Sequence, residues 1–171
     1  MKYRSEEDKS YGVAGMALGM TVFDVADRYA SITLDADGLD CVNFTPDFFF
    51  AGNPRVPATS AWKQMCSTYR VSVGLVLADA ISRKMVLDHG SVDRKLRKHL
   101  LDAARAEGKE SCQLEPDEVD HLFDEDFTHL VGVFSNPSVR QTITKIAHRL
   151  TDSRALTRFD VEELLQEAGL I

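Results

Sequence analysis

Apolar residues recur at alternating spacings of four and three from Ser60 to Leu87, and this period predicts one long helix. One stripe contains Trp62, Cys66, Tyr69, Val73, Val76 and Ala80, and a second contains Val71, Leu75, Ala78 and Met85. A surface helix has one apolar stripe, whereas a helix with apolar residues on most sides lies inside the fold. The charged residues Arg70, Asp79, Arg83 and Lys84 keep the apolar runs well short of the about 20 residues of a membrane span. The stretch therefore predicts a helix at the centre of the fold.

Similar periodicity predicts further helices on both sides of the central one. We expect them at Ser10–Ala30, Ser91–Gly108, Pro116–Phe134, Pro137–Leu150 and Asp160–Ala168. Ser91 is the expected N-cap of the second of these helices, and Gly108 its expected end. The last helix is predicted from the spacing of Asp160 and Glu163, which matches a capping box.

Three glycines, Gly12, Gly15 and Gly19, fall near one face of the first predicted helix. Each helical glycine costs about 1 kcal/mol relative to alanine, so the three need a compensating contact. A close approach by the central helix at Gly74 and Ala78 would supply it. The spacing does not match a phosphate-binding glycine loop, which favours packing over ligand binding.

The pattern changes between Ser31 and Phe44, where apolar and polar residues alternate imperfectly around Asp37-Gly38. An Asp-Gly pair between short apolar runs is typical of a hairpin. The whole pattern predicts a single, predominantly all-α domain over residues 1–171, with five or six helices bundled around residues 60–87. A small irregular or β-hairpin insertion occupies about residues 31–58, and residues 1–9 are expected to be flexible.

A segment rich in phenylalanine and proline joins the insertion to the central helix. Its prolines exclude a continuous helix or a central strand, yet it contains Phe44, Phe48, Phe49 and Phe50. Burying one phenylalanine is worth about 1.5–3 kcal/mol, so four of them are not expected in water. They either cap the helical core or form an interaction surface, with a second copy of the chain as the simplest partner.

The charge balance, the cysteines and the N-terminal residues argue against several classes of protein. The chain has 27 Asp and Glu against 20 Lys and Arg, which argues against a surface devoted to nucleic acid or to anionic lipid. Its three cysteines are widely spaced and form no metal-ligand pattern, as in a reduced cytoplasmic protein. No A-x-A-like cleavage site follows the early apolar run, so we expect no signal peptide and a cytoplasmic location.

Charge is strongly segregated along the second half of the chain. Residues 60–109 hold 10 basic and 5 acidic side chains, whereas residues 110–136 hold eight acidic and no basic ones. The simplest interpretation is two antiparallel helices whose opposite charges face each other. A weaker alternative is that the basic helix binds nucleic-acid phosphates through Arg94, Lys95, Arg97 and Lys98.

The best metal-ligand candidates lie on the acidic helix, at Glu118, His121, Glu125 and His129. Spacings of three, four and four place them on one side of a helix. A di-iron carboxylate bundle uses two Glu-x-x-His pairs plus glutamates from other helices, and the chain has no second pair. A solvated polar face is therefore favoured over a metal site, and no cofactor is predicted.

No catalytic constellation emerges from the sequence. There is no G-x-S-x-G elbow, and Cys66 lies on the apolar stripe of the central helix, where an inert thiol is expected. The leading hypothesis is a cytoplasmic interaction or assembly protein that is not an enzyme and that binds another copy of itself or another protein. A metal-dependent enzyme using residues 118–129 is the alternative, and nucleic-acid binding through residues 91–107 is a weaker one.

Overall fold

The computed structural model describes residues 2–48 and 57–171. This part of the chain folds into six α-helices and a small antiparallel sheet, as the sequence predicts for a predominantly helical protein. The helices are α1 (Glu6–Val22), α2 (Ala58–Ser82), α3 (Arg94–Cys112), α4 (Pro116–Ser135), α5 (Pro137–Ser153) and α6 (Arg158–Glu167). The strands are β1 (Tyr29–Thr33), β2 (Val42–Phe44) and β3 (Ala155–Thr157).

The central helix is α2, and it packs against α1, α3 and α4. The stretch predicted over Ser60–Leu87 is one continuous helical segment, with a π-helical turn at Arg83–Leu87 following the α-helix. Its buried residues begin at Tyr69 and continue to Ser82. The first three turns of α2 are mostly exposed. Only the second half of the helix is therefore buried inside the fold, as the apolar pattern predicts for the whole helix.

A close contact joins α1 to α2 across the glycines of α1. A Cβ atom on Gly15 would lie 2.5 Å from Cβ of Ser82 and 2.6 Å from the carbonyl oxygen of Ala78. Cβ atoms do not approach other atoms so closely, so the backbones of the two helices meet where a side chain would not fit. The Ser82 hydroxyl donates a 2.7 Å hydrogen bond to the carbonyl of Tyr11 across the same contact. The close helix approach predicted from the glycines is present at Ala78, whereas Gly74 lies against the ring of Phe23 and not against the glycines of α1.

The sheet has the strand order β2-β1-β3. The antiparallel pair β1–β2 is the predicted hairpin, and Gly38 in its connection has a φ of +61°, which suits glycine. The third strand was not predicted. It pairs antiparallel with β1 through Ile32 and Leu156, so the connection between α5 and α6 is tied to the hairpin near the N-terminus.

Three of the predicted helices have wrong boundaries. The first helix begins at Glu6, within residues 1–9 and four residues before Ser10, because Ser5 caps it by accepting a hydrogen bond from the amide of Asp8. It ends at Val22 instead of Ala30, and the chain then passes through Asp24, whose left-handed φ of 55° breaks the helix.

The cap of α3 is Asp93 and not Ser91, and the helix continues past Gly108 to Cys112. Gly108 is an internal packing position, because a Cβ atom there would lie 2.8 Å from the hydroxyl of Tyr69. The last helix is capped by Thr157, with Asp160 as its third helical residue, so the capping box lies three residues earlier than predicted.

Residues from all six helices and from the sheet form one core cluster. Its largest fully buried side chains include Tyr29, Ile32, Leu75, Phe123 and Ile143. None of the helices formed by residues 2–48 and 57–171 is both long and apolar enough to cross a membrane.

We predict that Gly15→Ala destabilises the protein by about 1–3 kcal/mol, because the added methyl group overpacks a backbone contact. The matched control is Gly132→Ala in α4, where a Cβ atom meets nothing within 4 Å. That change should stabilise the helix by up to about 1 kcal/mol. Urea unfolding of both variants measures the difference. A Gly15→Ala protein as stable as Gly132→Ala would contradict the close contact.

Candidate functional site

The candidate interaction residues Phe44 and Phe48 pack on their own chain. Their rings stack with centroids 4.0 Å apart, and Phe48 is 6% exposed. The hydroxyl of Thr68 on α2 lies 3.5 Å from the carbonyl oxygen of Phe48. These two rings therefore cap the core beside α2. Phe49 and Phe50 lie outside the described residues.

The candidate metal ligands on α4 lie on one exposed side of the helix, and two of them have other contacts. Glu118 accepts a 2.9 Å hydrogen bond from the backbone amide of Glu115 as part of the capping box. Glu125 lies 3.3 Å from a guanidinium nitrogen of Arg70. His121 and His129 are exposed. Within residues 2–48 and 57–171, no three His, Cys, Asp or Glu side chains are grouped so that they could hold a metal ion.

The basic and acidic helices, α3 and α4, lie antiparallel with their charges facing each other. Arg97 approaches Asp124 to 2.6 Å, and Arg105 forms two hydrogen bonds to Asp120. The Arg97 guanidinium also lies 5.5 Å from the centroid of the Phe127 ring. Exposed ion pairs contribute about 0–1 kcal/mol each, so the seam aligns the helices more than it stabilises them.

Of the four residues proposed to bind nucleic acid, one is engaged in the ion pairs between α3 and α4, and three are exposed at the surface. Arg97 faces α4, whereas Arg94, Lys95 and Lys98 are exposed. The neighbouring residue Arg97 pairs with Asp124, so the acidic face of α4 is close to this part of α3. A polyanion that approached these three side chains would also meet that acidic face, which weakens phosphate binding.

A buried ionic cluster, which the sequence did not indicate, joins α1 to the end of α2. The Arg83 guanidinium lies 3.1 Å from a carboxylate oxygen of Asp8 and 3.1 Å from one of Asp79. Arg4 holds Asp8 through its backbone amide and its side chain, and it also reaches Asp88 at 3.0 Å. Asp8 and Asp79 are only 1% and 2% exposed. The cluster therefore fastens the N-terminal residues to α2.

The two buried carboxyl groups have pKa values that move in opposite directions. Burial raises the pKa of Asp79 to about 6, and the nearby charge of Arg83 only partly opposes this. Burial also acts to raise the pKa of Asp8, but the hydrogen bonds from Arg4 and the charge of Arg83 outweigh it and hold that pKa below its usual value. The spacing of Asp79 and Arg83, four residues apart on a helix, is the one signal of this pair in the sequence.

A partly exposed apolar surface lies on the first turns of α2. We call it the Trp62 face, and it consists of Ala58, Ala61, Trp62 and Met65. The spacing of these residues places them on one side of the helix. Ala58 and Trp62 are exposed, whereas Ala61 and Met65 are partly buried and Met65 packs against the core. The sequence placed Trp62 on a buried stripe, but 45% of this residue is exposed. Its indole N–H donates a 3.2 Å hydrogen bond to the carbonyl of Cys112, which fixes the ring at the end of α3.

Comparisons of the chain with protein-family models, with curated proteins and with solved structures give no match. A function can therefore be inferred only from the residues and contacts of this chain.

We predict that Asp79 makes the protein less stable as the pH rises from about 4 to about 7. A carboxyl group whose pKa is higher in the folded than in the unfolded state stabilises the fold below its unfolded pKa of about 3.9 and loses that contribution as the pH passes about 6. The loss is on the order of 2–3 kcal/mol, at about 1.4 kcal/mol per pKa unit. Asp8, whose folded pKa is lowered, contributes with the opposite sign and only at more acidic pH.

Urea unfolding of the native protein and of Asp79→Asn between pH 4.5 and 8 measures this effect. The free energy of unfolding of the variant should fall much less over this pH range, because its side chain does not titrate. Parallel stability profiles for the two proteins would contradict the assignment.

Proposed function

We propose that this chain is a non-enzymatic cytoplasmic interaction or assembly protein, and that it associates with a second copy of itself through the Trp62 face. The observation that supports this proposal is the half-exposed, hydrogen-bonded ring of Trp62. Tryptophan is enriched among residues that dominate binding energy in interfaces. A ring that is already fixed loses little conformational freedom on binding, which favours affinity.

The shape of the Trp62 face suits a helix as its partner. Its four residues follow the spacing i, i+3, i+4 and i+7, which is the spacing of anchors that a helix presents to a groove or to another helix. Ala58 and Ala61 are small and leave room for a close approach. A two-fold pairing of α2 with its copy would bring each Trp62 against the small residues of the other chain.

Charge permits a second copy as the partner at the Trp62 face. The chain has a net charge of −7, so two copies repel each other over most of their surfaces. Charged residues make up 27% of the chain, but Lys63 is the one charged residue between positions 57 and 69. Copies that meet at the start of α2 therefore avoid most of the repulsion, and a lack of charge at the centre is typical of interfaces.

Neither alternative function is supported by a specific contact. Glu118 and Glu125 are engaged in the cap and in the Arg70 pair. Arg97 is engaged with Asp124. We therefore do not propose a metal-dependent enzyme or a nucleic-acid-binding protein.

We predict that Trp62→Ala weakens self-association at least about 30-fold, which corresponds to the 2 kcal/mol or more of an interface hot spot. The control is Phe159→Ala, which removes a more exposed aromatic side chain from α6, 69% exposed and away from the Trp62 face. Size-exclusion chromatography with light scattering over a dilution series gives the dissociation constant of each protein. The control should associate like the native chain.

A second variant separates association from folding. Ala58 is exposed and lies in the first turn of α2, so Ala58→Glu should leave the fold intact or slightly more stable, because an acid suits the start of a helix. It should nevertheless weaken association, because it places like charges on both copies. A native protein that is monomeric at every concentration, or an Ala58→Glu variant that associates unchanged, would contradict the proposal.

A further inference from the structure

Two of the three cysteines meet where α2 packs on the last turns of α3. The indole of Trp62 bonds the carbonyl of Cys112, and the hydroxyl of Tyr69 bonds the carbonyl of Ala104 at 2.8 Å. The two helices therefore run antiparallel, with Trp62 level with Cys112 and Tyr69 about two turns further back along α3. Cys66 lies one turn after Trp62 on the same side of α2. This register places Cys66 level with Gly108, one turn before Cys112. Because side chains lean towards the N-terminus of their own helix, those of Cys66 and Cys112 lean towards each other.

The helices are close enough at this level for the two thiols to interact. Gly108, one turn before Cys112, has no side chain, and a Cβ atom there would lie 2.8 Å from the Tyr69 hydroxyl. The backbone of α3 therefore lies against the side chains of α2. Cys66 is also among the neighbours that raise the pKa of the Cys112 thiol, so the two side chains lie near each other. Both are free thiols in the structure.

We propose that Cys66 and Cys112 form a thiol pair that a hydroperoxide converts into an intramolecular disulfide. Cys66 is partly exposed, whereas Cys112 is 2% exposed. A small oxidant therefore reaches Cys66 first, and Cys112 is positioned to complete the bond. This inference does not rest on self-association, because both thiols belong to one chain.

The reaction has two steps. The Cys66 thiolate attacks one oxygen of the hydroperoxide, the O–O bond breaks, and Cys66 becomes a sulfenic acid while water or an alcohol leaves. The Cys112 sulfur then attacks the Cys66 sulfur, an S–S bond forms, and the sulfenic oxygen leaves as water with the Cys112 proton. Two thiols are oxidised, and one hydroperoxide is reduced.

The environment of Cys112 sets the pH dependence of the second step. Burial raises the pKa of its thiol to about 11, and the neighbouring Cys66 raises it further in the same direction. The thiolate is the attacking form. Ring closure should therefore become faster as the pH rises from 7 to 9, since the thiolate fraction of Cys112 grows about tenfold per pH unit below its pKa.

Cys41 is the internal control. It is buried near the hairpin, and its sulfur lies 2.8 Å from the carbonyl oxygen of Ala36. It belongs to a different part of the chain from the α2–α3 contact. A selective pair should leave Cys41 as a free thiol.

The test is oxidation of the reduced native protein with hydrogen peroxide, followed by alkylation, intact mass measurement and peptide mapping. We expect a monomer that is lighter by two hydrogen atoms, with Cys66 linked to Cys112 and Cys41 alkylated. Cys41→Ser should give the same linked peptide, whereas Cys66→Ser and Cys112→Ser should give none. The peptide map of the native protein decides the result, so the test remains valid even if a serine variant folds poorly.

Three outcomes would overturn the proposal. Cys66 could accumulate as sulfinic acid with Cys112 still free, which would show that the second sulfur does not reach the first. A linked peptide containing Cys41 would show that the pairing is not selective. A disulfide between chains in place of one within the chain would show that the two thiols of one copy do not meet.

Discussion

The close approach of α1 and α2 is the constraint on which the rest of the fold depends. At Gly15 the two backbones meet where no side chain fits, and the Ser82 hydroxyl crosses the contact to the carbonyl of Tyr11. The same end of the contact buries Asp8 and Asp79 around Arg83. A buried ion pair does not by itself make a fold more stable, but an error in its geometry is costly because it leaves a charge unpaired. The cluster therefore specifies how α1 lies on α2 more than it adds to the free energy of folding.

The helix α2 has two parts that differ in burial. From Tyr69 onward the helix is enclosed by α1, α3 and α4, and its residues serve the core. Before Tyr69 the apolar stripe continues with less cover from the described residues: Met65 and Cys66 are partly buried against the core, and Trp62 is 45% exposed at the end of α3. The proposed self-association follows from this division. The second half of α2 belongs to the core, and the proposal assigns the partner contact to the exposed side chains of the first half.

The helices were predictable because apolar periodicity and capping residues are local signals. The start of α4 at Pro116 and the contact through Gly15 were both predicted from such signals. The third strand, β3, was not, because it has three residues and exists only by pairing with β1. The exposure of Trp62 was missed for a similar reason. A stripe indicates which side of a helix is apolar, but it does not indicate how far the covering elements extend along it.

Ionic and thiol contacts between segments far apart in the chain can hardly be predicted from a single sequence. Asp8 and Arg83 are 75 positions apart, and neither has a neighbour that points to the other. Cys66 and Cys112 have no motif spacing, and only the register of α2 on α3 brings them together. The charge seam between α3 and α4 could be predicted, because whole blocks of one sign follow each other along the chain.

Amide hydrogen–deuterium exchange at several protein concentrations tests the division of α2 most directly. The account predicts that amides of residues 74–82 exchange slowly at every concentration, because they open only when the core unfolds. Amides of residues 62–67 should exchange quickly in dilute protein and become more protected as the concentration rises, because association covers that half. Equal exchange of residues 62–67 at all concentrations would contradict the role assigned to the first half of α2.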